Sequence, residues 1–347
     1  MKGLSIFYAT ALLLLACSYA STVPDDWPDV AAYIERVRWH PQGQWILFVR
    51  QGEDGSERRI YKVRPDGSGL IALSVPGSHD DLPIWSPDGQ QIAFIRRGAP
   101  TEVYKMNADG TGVTSLGRHP GIIDLVRWLP DGRIVFIAHR GDGGPMLGTF
   151  RASTGEEERF WCDASDADWH PSGNYVVVSR LKGRPSMHAN LHEIDLSTKQ
   201  DRQLTFGVEL DDSPRYSPDG EWIVFNTCRN KAGGRLIWLV RRDGTNLHPV
   251  PLPDGPNMVE SDADFSPDGQ YLAFARGEYG ATDLYVCRVD GTDLRRITYF
   301  DRQAKANSPL KVVKDPASQG KASSASKAQP ANKQKQKKSS GVPLSKP

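Results

Sequence analysis

Cysteine is scarce in this chain, which limits the sites it can build. Four cysteines occur among 347 residues, and no pair among Cys162, Cys228 and Cys287 has the spacing of a metal knuckle. All three lie in or beside expected strands, where buried thiols and a single disulfide both fit. A cysteine-based metal centre is therefore not predicted.

The sequence motifs of common catalytic sites are also missing. The chain contains no G-x-S-x-G, no H-E-x-x-H and no phosphate-binding G-K-[ST]. Among the eight histidines, His40 and His170 stand in recurring turns. His188 and His192 are four residues apart near an expected strand, where that spacing does not bring side chains together as on a helix. The sequence therefore contains no motif that predicts an active site.

The apolar stretch over residues 4–16 follows Lys2 and is too short to cross a bilayer. It predicts an export signal over residues 1–20. The end of the signal has two interpretations. Residues 14–17 resemble a bacterial lipobox, which would make Cys17 the lipidation site, whereas residues 18–20 fit ordinary cleavage. Both interpretations predict an exported protein, either periplasmic or lipid-anchored to the envelope.

Charge is divided unevenly along the chain. The formal net charge is +1, but residues 303–347 hold ten lysines and one aspartate, which leaves residues 21–302 at about −9. The acidic body offers no nucleic-acid surface. The tail, rich in Lys, Ser, Ala, Gln and Pro, is predicted to be disordered. It either stays solvated or binds an anionic envelope surface such as phospholipid, lipopolysaccharide or peptidoglycan carboxylates.

A short phrase recurs six times and dominates the rest of the sequence. It reads WHPQG, WSPDG, WLPDG, WHPSG, YSPDG and FSPDG, with the aromatics at positions 39, 85, 128, 169, 216 and 265. A period of 40–50 residues indicates repeated supersecondary units. An apolar strand precedes each phrase, and runs rich in Ile, Val, Phe and Tyr follow it. Pro-Asp-Gly is typical of the tight turn between the two strands.

A third and a fourth strand complete each unit, often around an Asp-Gly-Thr or Asp-Gly-Ser turn. Six units of four strands predict an all-β fold, a six-bladed β-propeller over residues 35–302. Residues 21–34 are expected to form a short N-terminal segment, with an additional edge strand that helps close the ring. Residues 303–347 follow as the disordered tail.

The repeats resemble those of the periplasmic TolB-type propellers, which are built from PD40 repeats. The strongest matches are LPIWSPDGQQIAF at 82–94, SDADFSPDGQYLAF at 261–274 and DLYVCRVDGT at 283–292. TolB proteins carry an α/β domain before the propeller, whereas only about 15 residues separate the expected signal from the first repeat here. The resemblance therefore implies a TolB-like binding scaffold and implies a Tol–Pal role only weakly.

Charged residues recur near the start and end of the two inner strands, so a closed ring would gather them at one mouth of the central channel. The acids are Glu35, Asp81, Asp124, Asp166, Asp168, Asp212, Asp262 and Asp264, and the arginines are Arg50, Arg96, Arg140, Arg180, Arg229 and Arg276. One interpretation is that they pair between blades and stabilise the ring. The other is that unpaired acids bind a basic segment of a partner, or a hard cation such as Ca²⁺.

The sequence thus favours a non-catalytic exported scaffold that binds a protein or peptide in the bacterial envelope. A carbohydrate-binding or polysaccharide-lyase-type propeller is the first alternative, because similar repeats occur in lyases. A sensor domain whose tail docks elsewhere is the second. Contact with a membrane is expected only through a lipid anchor at Cys17. No cofactor is predicted beyond the Ca²⁺ hypothesis.

Overall fold

A computed structural model describes ten stretches of the chain. They are 33–52, 57–98, 101–118, 121–139, 145–160, 164–182, 188–229, 234–253, 258–278 and 281–300. The expected export signal, Cys17, Arg140, Cys162 and the Lys-rich tail lie outside these residues, as does most of the expected N-terminal segment.

The described residues contain 24 strands and no helix, arranged as six four-stranded antiparallel sheets. The first three blades contain β1 Ile34–Trp39, β2 Ile46–Gln51, β3 Arg58–Val63 and β4 Ile71–Ala72; β5 Asp80–Trp85, β6 Gln91–Arg96, β7 Glu102–Asn107 and β8 Thr114–Gly117; β9 Ile122–Trp128, β10 Arg133–His139, β11 Pro145–Arg151 and β12 Glu157–Phe160. Each blade uses its strands in chain order.

The other three blades repeat this pattern. They contain β13 Asp166–Trp169, β14 Tyr175–Lys182, β15 His188–Asp195 and β16 Asp201–Gln203; β17 Asp211–Tyr216, β18 Trp222–Thr227, β19 Leu236–Arg241 and β20 His248–Pro249; β21 Met258–Phe265, β22 Tyr271–Glu278, β23 Ala281–Arg288 and β24 Arg295–Arg296. The predicted six-bladed propeller is confirmed. Within the described stretches, no helix is long and apolar enough to pass through a membrane.

The recurring phrase forms the turn between the first two strands of each blade. In the second blade, Ser86 Oγ donates to Asp88 Oδ1 at 2.6 Å and accepts a bond from the Gln91 amide at 2.8 Å. Gly89 completes the turn with φ +70°, a conformation that glycine adopts without steric cost. The same bonds recur around Ser217 and Ser266. The phrase is therefore an architectural turn.

The hydrophobic core lies between the blades rather than in one central mass. Six clusters of buried side chains each join two neighbouring blades, and together they run around the whole ring. The second strands of five blades contribute equivalent, fully buried phenylalanines: Phe48, Phe94, Phe136, Phe225 and Phe274. Truncating such a side chain to alanine typically costs about 3–5 kcal/mol.

The ring closes where the sixth blade meets the first. The Ile34 amide, at the start of β1, donates to Thr282 Oγ1 on β23 at 2.8 Å. Phe300, at the end of the described residues, packs beside Phe48 and Tyr61. The innermost strands β1, β5, β9, β13, β17 and β21 neighbour one another in a closed circle and surround the central channel.

Candidate functional site: the central channel

The channel mouth, the end at which the innermost strands begin, is shaped by β-bulges. The pairing of β1, β5, β17 and β21 with their second strands shifts register there. In each bulge one residue has a left-handed backbone: Arg36, Leu82, Ser213 and Asp262, with φ between +52° and +58°. A bulge re-aims the side chains beside it. It therefore explains how several charged side chains converge on one mouth.

On the side formed by the first two blades, the carboxylates are well compensated. Arg58 on β3 pairs with Glu35 and, at 3.0 Å, with Asp81 of the next blade. Arg97 contacts Asp81 at 2.8 Å. Burial alone would raise the pKa of Asp81, but Arg58, Arg97 and Arg36 hold it well below its usual range. This side of the mouth is a structural ion-pair network.

One ion pair crosses the mouth. Arg36 on β1 contacts Asp124 Oδ2 on β9 at 3.1 Å, which links the first blade to the third. Asp124 Oδ1 is buried and has no hydrogen-bond partner. Burial, together with repulsion from Asp166, raises the pKa of Asp124 despite the nearby arginines. Arg36 therefore fills part of the mouth with the chain's own cation.

The side formed by the last three blades has fewer cations than carboxylates. Asp212 is 3% exposed; its Oδ1 pairs with Arg235, and its Oδ2 is buried without a partner. Asp166 is 3.5 Å from Arg215, which lies deeper in the channel. The Asp262 carboxylate is partly accessible and makes no hydrogen bond or ion pair with the described residues. Burial, together with repulsion from Asp166 and Asp262, raises the pKa of Asp212 to about 7 despite Arg235.

The two remaining predicted acids, Asp168 and Asp264, lie deeper, one residue before the recurring aromatic. Asp168 accepts two bonds from Arg127, at 3.0 and 2.9 Å, and one from the Tyr216 amide at 2.8 Å. Asp264 accepts a hydrogen bond from the Trp39 amide at 2.7 Å, which links the sixth blade to the first. Burial raises the pKa of Asp264 although arginines lie nearby.

Arg50, Arg96, Arg229 and Arg276 form no ion pair with the predicted acids. Three of them pair within their own blade with another acid: Arg96 with Asp80 at 2.7 Å, Arg229 with Asp211 at 2.5 Å, and Arg276 with Glu260 at 3.4 Å. Antiparallel register explains this, because it places Arg96 opposite Asp80 and Arg276 opposite Glu260. Arg50 instead stacks on Phe300, and Arg180 pairs with Asp201 on β16.

Sequence reasoning missed the cations that the channel does use. Arg36, Arg38 and Arg215 come from the innermost strands, whereas Arg58 and Arg235 come from or beside third strands. The Asp80–Asp81 and Asp211–Asp212 doublets could have shown that two acids per blade compete for each arginine. Within the described stretches, no group of three or more His, Cys, Asp or Glu side chains is arranged to hold a metal ion.

The cysteines differ from one another. Cys228, after β18, is held in a disulfide, so the structure selects the disulfide alternative for this residue. Cys287 on β23 is free and fully buried.

Comparison with known proteins agrees with this architecture. A family model described as the TolB beta propeller domain matches residues 39–261, more than half of the chain. An uncharacterized protein of Agrobacterium fabrum is 30% identical over 130 residues, which is 34% of this chain and 41% of that protein. The Tol-Pal system protein TolB of an Anaeromyxobacter species is 31% identical over 86 residues, which is 25% and 18% of the two chains. The chain thus spans less than half the length of these curated relatives.

Solved structures share the fold at low sequence identity. A protein described as TolB from Agrobacterium tumefaciens has a TM-score of 0.60 at 18% identity, covering 69% of this chain and 88% of that one. TolB from Acinetobacter baumannii has a TM-score of 0.59 at 18% identity, covering 76% and 63%. An oligogalacturonate lyase in complex with manganese has a TM-score of 0.54 at 14% identity, covering 81% of each chain. With its repeats, ring and family match together, the chain belongs to the PD40 family of TolB-type β-propellers.

Proposed function

We propose that this chain is an exported, non-catalytic propeller that binds a basic segment of a protein or peptide partner in the bacterial cell envelope. Its family membership supports a binding role, since its relatives include a Tol-Pal system protein. A specific link to the Tol–Pal system is not part of the proposal, because the chain spans less than half of those relatives.

One observation carries the proposal: on one side of the channel mouth the carboxylates outnumber the cations. Asp166, Asp212 and Asp262 come from three successive blades, and Arg235 is the cation that pairs directly at this level. A buried carboxylate oxygen without a partner, as in Asp212, is costly and gains strongly from a donor. A lysine or arginine side chain of a partner would supply both the donor and the charge.

The proposal also assigns Arg36 a role. It occupies the opposite side of the mouth, against Asp124, and so restricts a partner's cation to the side near Asp212 and Asp262. Attraction at such a mouth speeds association and weakens as salt screens the charges. Binding should therefore depend on ionic strength.

The test is crosslinking in cells followed by pull-down, with a matched pair of charge-neutral variants. Asp262→Asn, alone and combined with Asp212→Asn, removes the acidic side. Asp293→Asn is the control, since Asp262 and Asp293 both lie in the sixth blade with left-handed backbones, φ +56° and +53°. Capture of an envelope protein should fall at least tenfold in the double variant and persist in the control. Capture that is equal in all variants would rule the mouth out as the binding site.

Export and anchoring are proposed on separate grounds. The sequence of residues 1–20 has the composition of an export signal. The Cys228 disulfide supports an oxidising compartment, because such bonds are rare in the cytosol. We propose that the signal ends either in a lipid anchor at Cys17 or in ordinary cleavage after residue 20; palmitate labelling that is unchanged in Cys17→Ser would exclude the anchor. The Lys-rich segment 303–347 is proposed to bind anionic envelope surfaces, which salt-insensitive envelope binding would contradict.

A further inference from the structure

The channel changes sign with depth. One residue before each recurring aromatic, the innermost strands place a second level of side chains: Arg38, Ile84, Arg127, Asp168, Arg215 and Asp264. Three arginines and two aspartates make this level net positive, in contrast to the acidic side of the mouth. Arg127 and Asp168 neutralise each other through two hydrogen bonds. The charges of Arg38, Arg215 and Asp264 are not part of this pair.

Arg38 is a buried cation without a salt bridge. It is 7% exposed, and its Nη1 donates to the Val37 carbonyl at 2.8 Å. Its Nε is buried without a partner. Among the described residues, no carboxylate oxygen lies within 4.0 Å of its guanidinium. A buried guanidinium is strongly disfavoured unless an oxyanion compensates it.

Arg215, two blades away, is buried as deeply and has one long ion pair. It is 2% exposed, and its Nη1 donates to the Pro214 and Ala167 carbonyls at 2.6 and 3.1 Å. Its Nε is also buried without a partner, and its nearest carboxylate, Asp166, is 3.5 Å away. Burial, with repulsion from Arg215, lowers the pKa of Arg38 to about 10. The pKa of Arg215 is raised despite its burial, because Asp166, Asp168, Asp124 and Asp264 lie around it.

We propose that Arg38 and Arg215 form an anion site inside the channel, which takes the carboxylate of a peptide end that enters through the acidic mouth. Guanidinium groups suit this ligand because their planar N–H donors match the two oxygens of a carboxylate. Asp264, on β21 between β1 and β17, accepts a hydrogen bond from the Trp39 amide at its Oδ2 and forms no ion pair with either arginine. This site is separate from the cation site proposed at the mouth.

The spacing of the two levels defines the ligand further. Asp212 and Arg215 lie on either side of the β17 bulge, opposite Asn226 and Val224 of β18, so they are about 7 Å apart along the strand. A ligand that satisfies both levels therefore has its cation about 7 Å from its carboxylate along an extended chain. An extended peptide with a basic residue two positions before its C-terminal carboxylate meets this requirement.

The test uses the full chain and four synthetic peptides in calorimetric titrations. N-acetyl-lysyl-alanyl-alanine and N-acetyl-trialanine are each compared as the free acid and as the C-terminal amide, since acetylation removes the α-ammonium group and leaves the lysine as the peptide's cation. The acid should bind at least tenfold more tightly than the amide. This ratio should fall to about one in Arg38→Gln and in Arg215→Gln. It should persist in Arg64→Gln, an exposed arginine that stacks on Trp45.

Each outcome bears on one site. Equal affinity of acid and amide for the unaltered chain overturns the anion site, as does an acid preference that survives in both arginine variants. Inorganic phosphate or acetate that binds more tightly than the peptide acid overturns the peptide assignment. The lysine-to-alanine change in the peptide tests the acidic mouth alone. An unchanged affinity after this substitution would therefore contradict the function proposed above without contradicting the anion site. Thermal melting of Arg38→Gln serves as a folding check, and we expect no loss of Tm because an unpaired buried charge is removed.

Discussion

Arg36 and Asp124, 88 residues apart in sequence, form a 3.1 Å ion pair that spans the channel mouth from the first blade to the third. Arg36 reaches this position from a left-handed residue in a β-bulge, with φ +58°. Blades that are not neighbours along the chain are thereby coupled at the axis of the ring. The pair is mostly buried, with side-chain exposures of 15% and 9%.

Removing one partner of this pair should destabilise the propeller. Arg36→Asn keeps a residue that tolerates a left-handed backbone but leaves Asp124 without its cation. We expect a loss of about 3–5 kcal/mol in the free energy of unfolding at neutral pH. The double variant Arg36→Asn/Asp124→Asn should recover most of it. Denaturant unfolding of the single and double variants measures this coupling, and losses that simply add would show that the pair contributes nothing.

The turn glycines allow a controlled test of contacts between blades. A Cβ on Gly89 would overlap Nε2 of His40 in the preceding blade, whereas a Cβ on Gly132 would meet nothing within 4 Å. Both glycines have left-handed backbones, with φ +70° and +84°. Gly132→Ala should cost about 1–2 kcal/mol from backbone strain alone. Gly89→Ala should cost about 1–3 kcal/mol more because of the overlap.

The comparison has its own internal check. In the background His40→Ser, which has the residue found at this turn position in three other blades, most of the extra cost of Gly89→Ala should disappear. The remaining close atom, Gln42 Oε1 at 2.7 Å from the added Cβ, ends a flexible side chain that can move away. Thermal denaturation of the four proteins gives the difference. An extra cost that remains without His40 would place its origin elsewhere.

The repeat phrase made the architecture predictable, since its aromatic, proline and glycine specify the same turn in every blade. The direction of each innermost strand followed from it, so the gathering of Asp81, Asp124 and Asp212 at one mouth could be expected. The ion pairs could not be predicted from the sequence. They depend on the bulge at Arg36 and on residues in or beside third strands, such as Arg58 and Arg235, whose distance from the mouth no local pattern encodes. The strand register places Arg96 opposite Asp80, so Arg96 pairs with Asp80 and not with Asp81.

The cysteines should differ sharply in reactivity. Burial, helped by Glu260 and Asp290, raises the pKa of the Cys287 thiol to about 12. The thiolate is the reactive form, so Cys287 should resist iodoacetamide in the native protein and react once denaturant unfolds the chain. Mass spectrometry of the labelled peptide is the measurement. Rapid native labelling would contradict the burial of this side chain.

The disulfide at Cys228 should be a measurable part of stability. Cys228→Ser should lower the free energy of unfolding by about 2–4 kcal/mol under non-reducing conditions. The same variant and the unaltered chain should unfold alike once a reductant is present. A difference that persists in reductant would assign the loss to packing instead of the crosslink.

The Asp212 carboxyl should make the stability of the propeller depend on pH in an unusual direction. Its folded pKa is about 7, well above the ordinary aspartate value of 3.8, so the native protein binds more protons than the unfolded chain between these values. Stability should therefore fall as the pH rises from about 4 through 7. Asp212→Asn should flatten this decline and unfold at a higher denaturant concentration than the unaltered chain at pH 8, while Asp293→Asn should retain the decline.

A bound basic peptide would lower the Asp212 pKa and release a proton near neutral pH, which titrations in buffers of different ionisation enthalpy detect. Binding without proton release at pH 7 would separate Asp212 from the ligand.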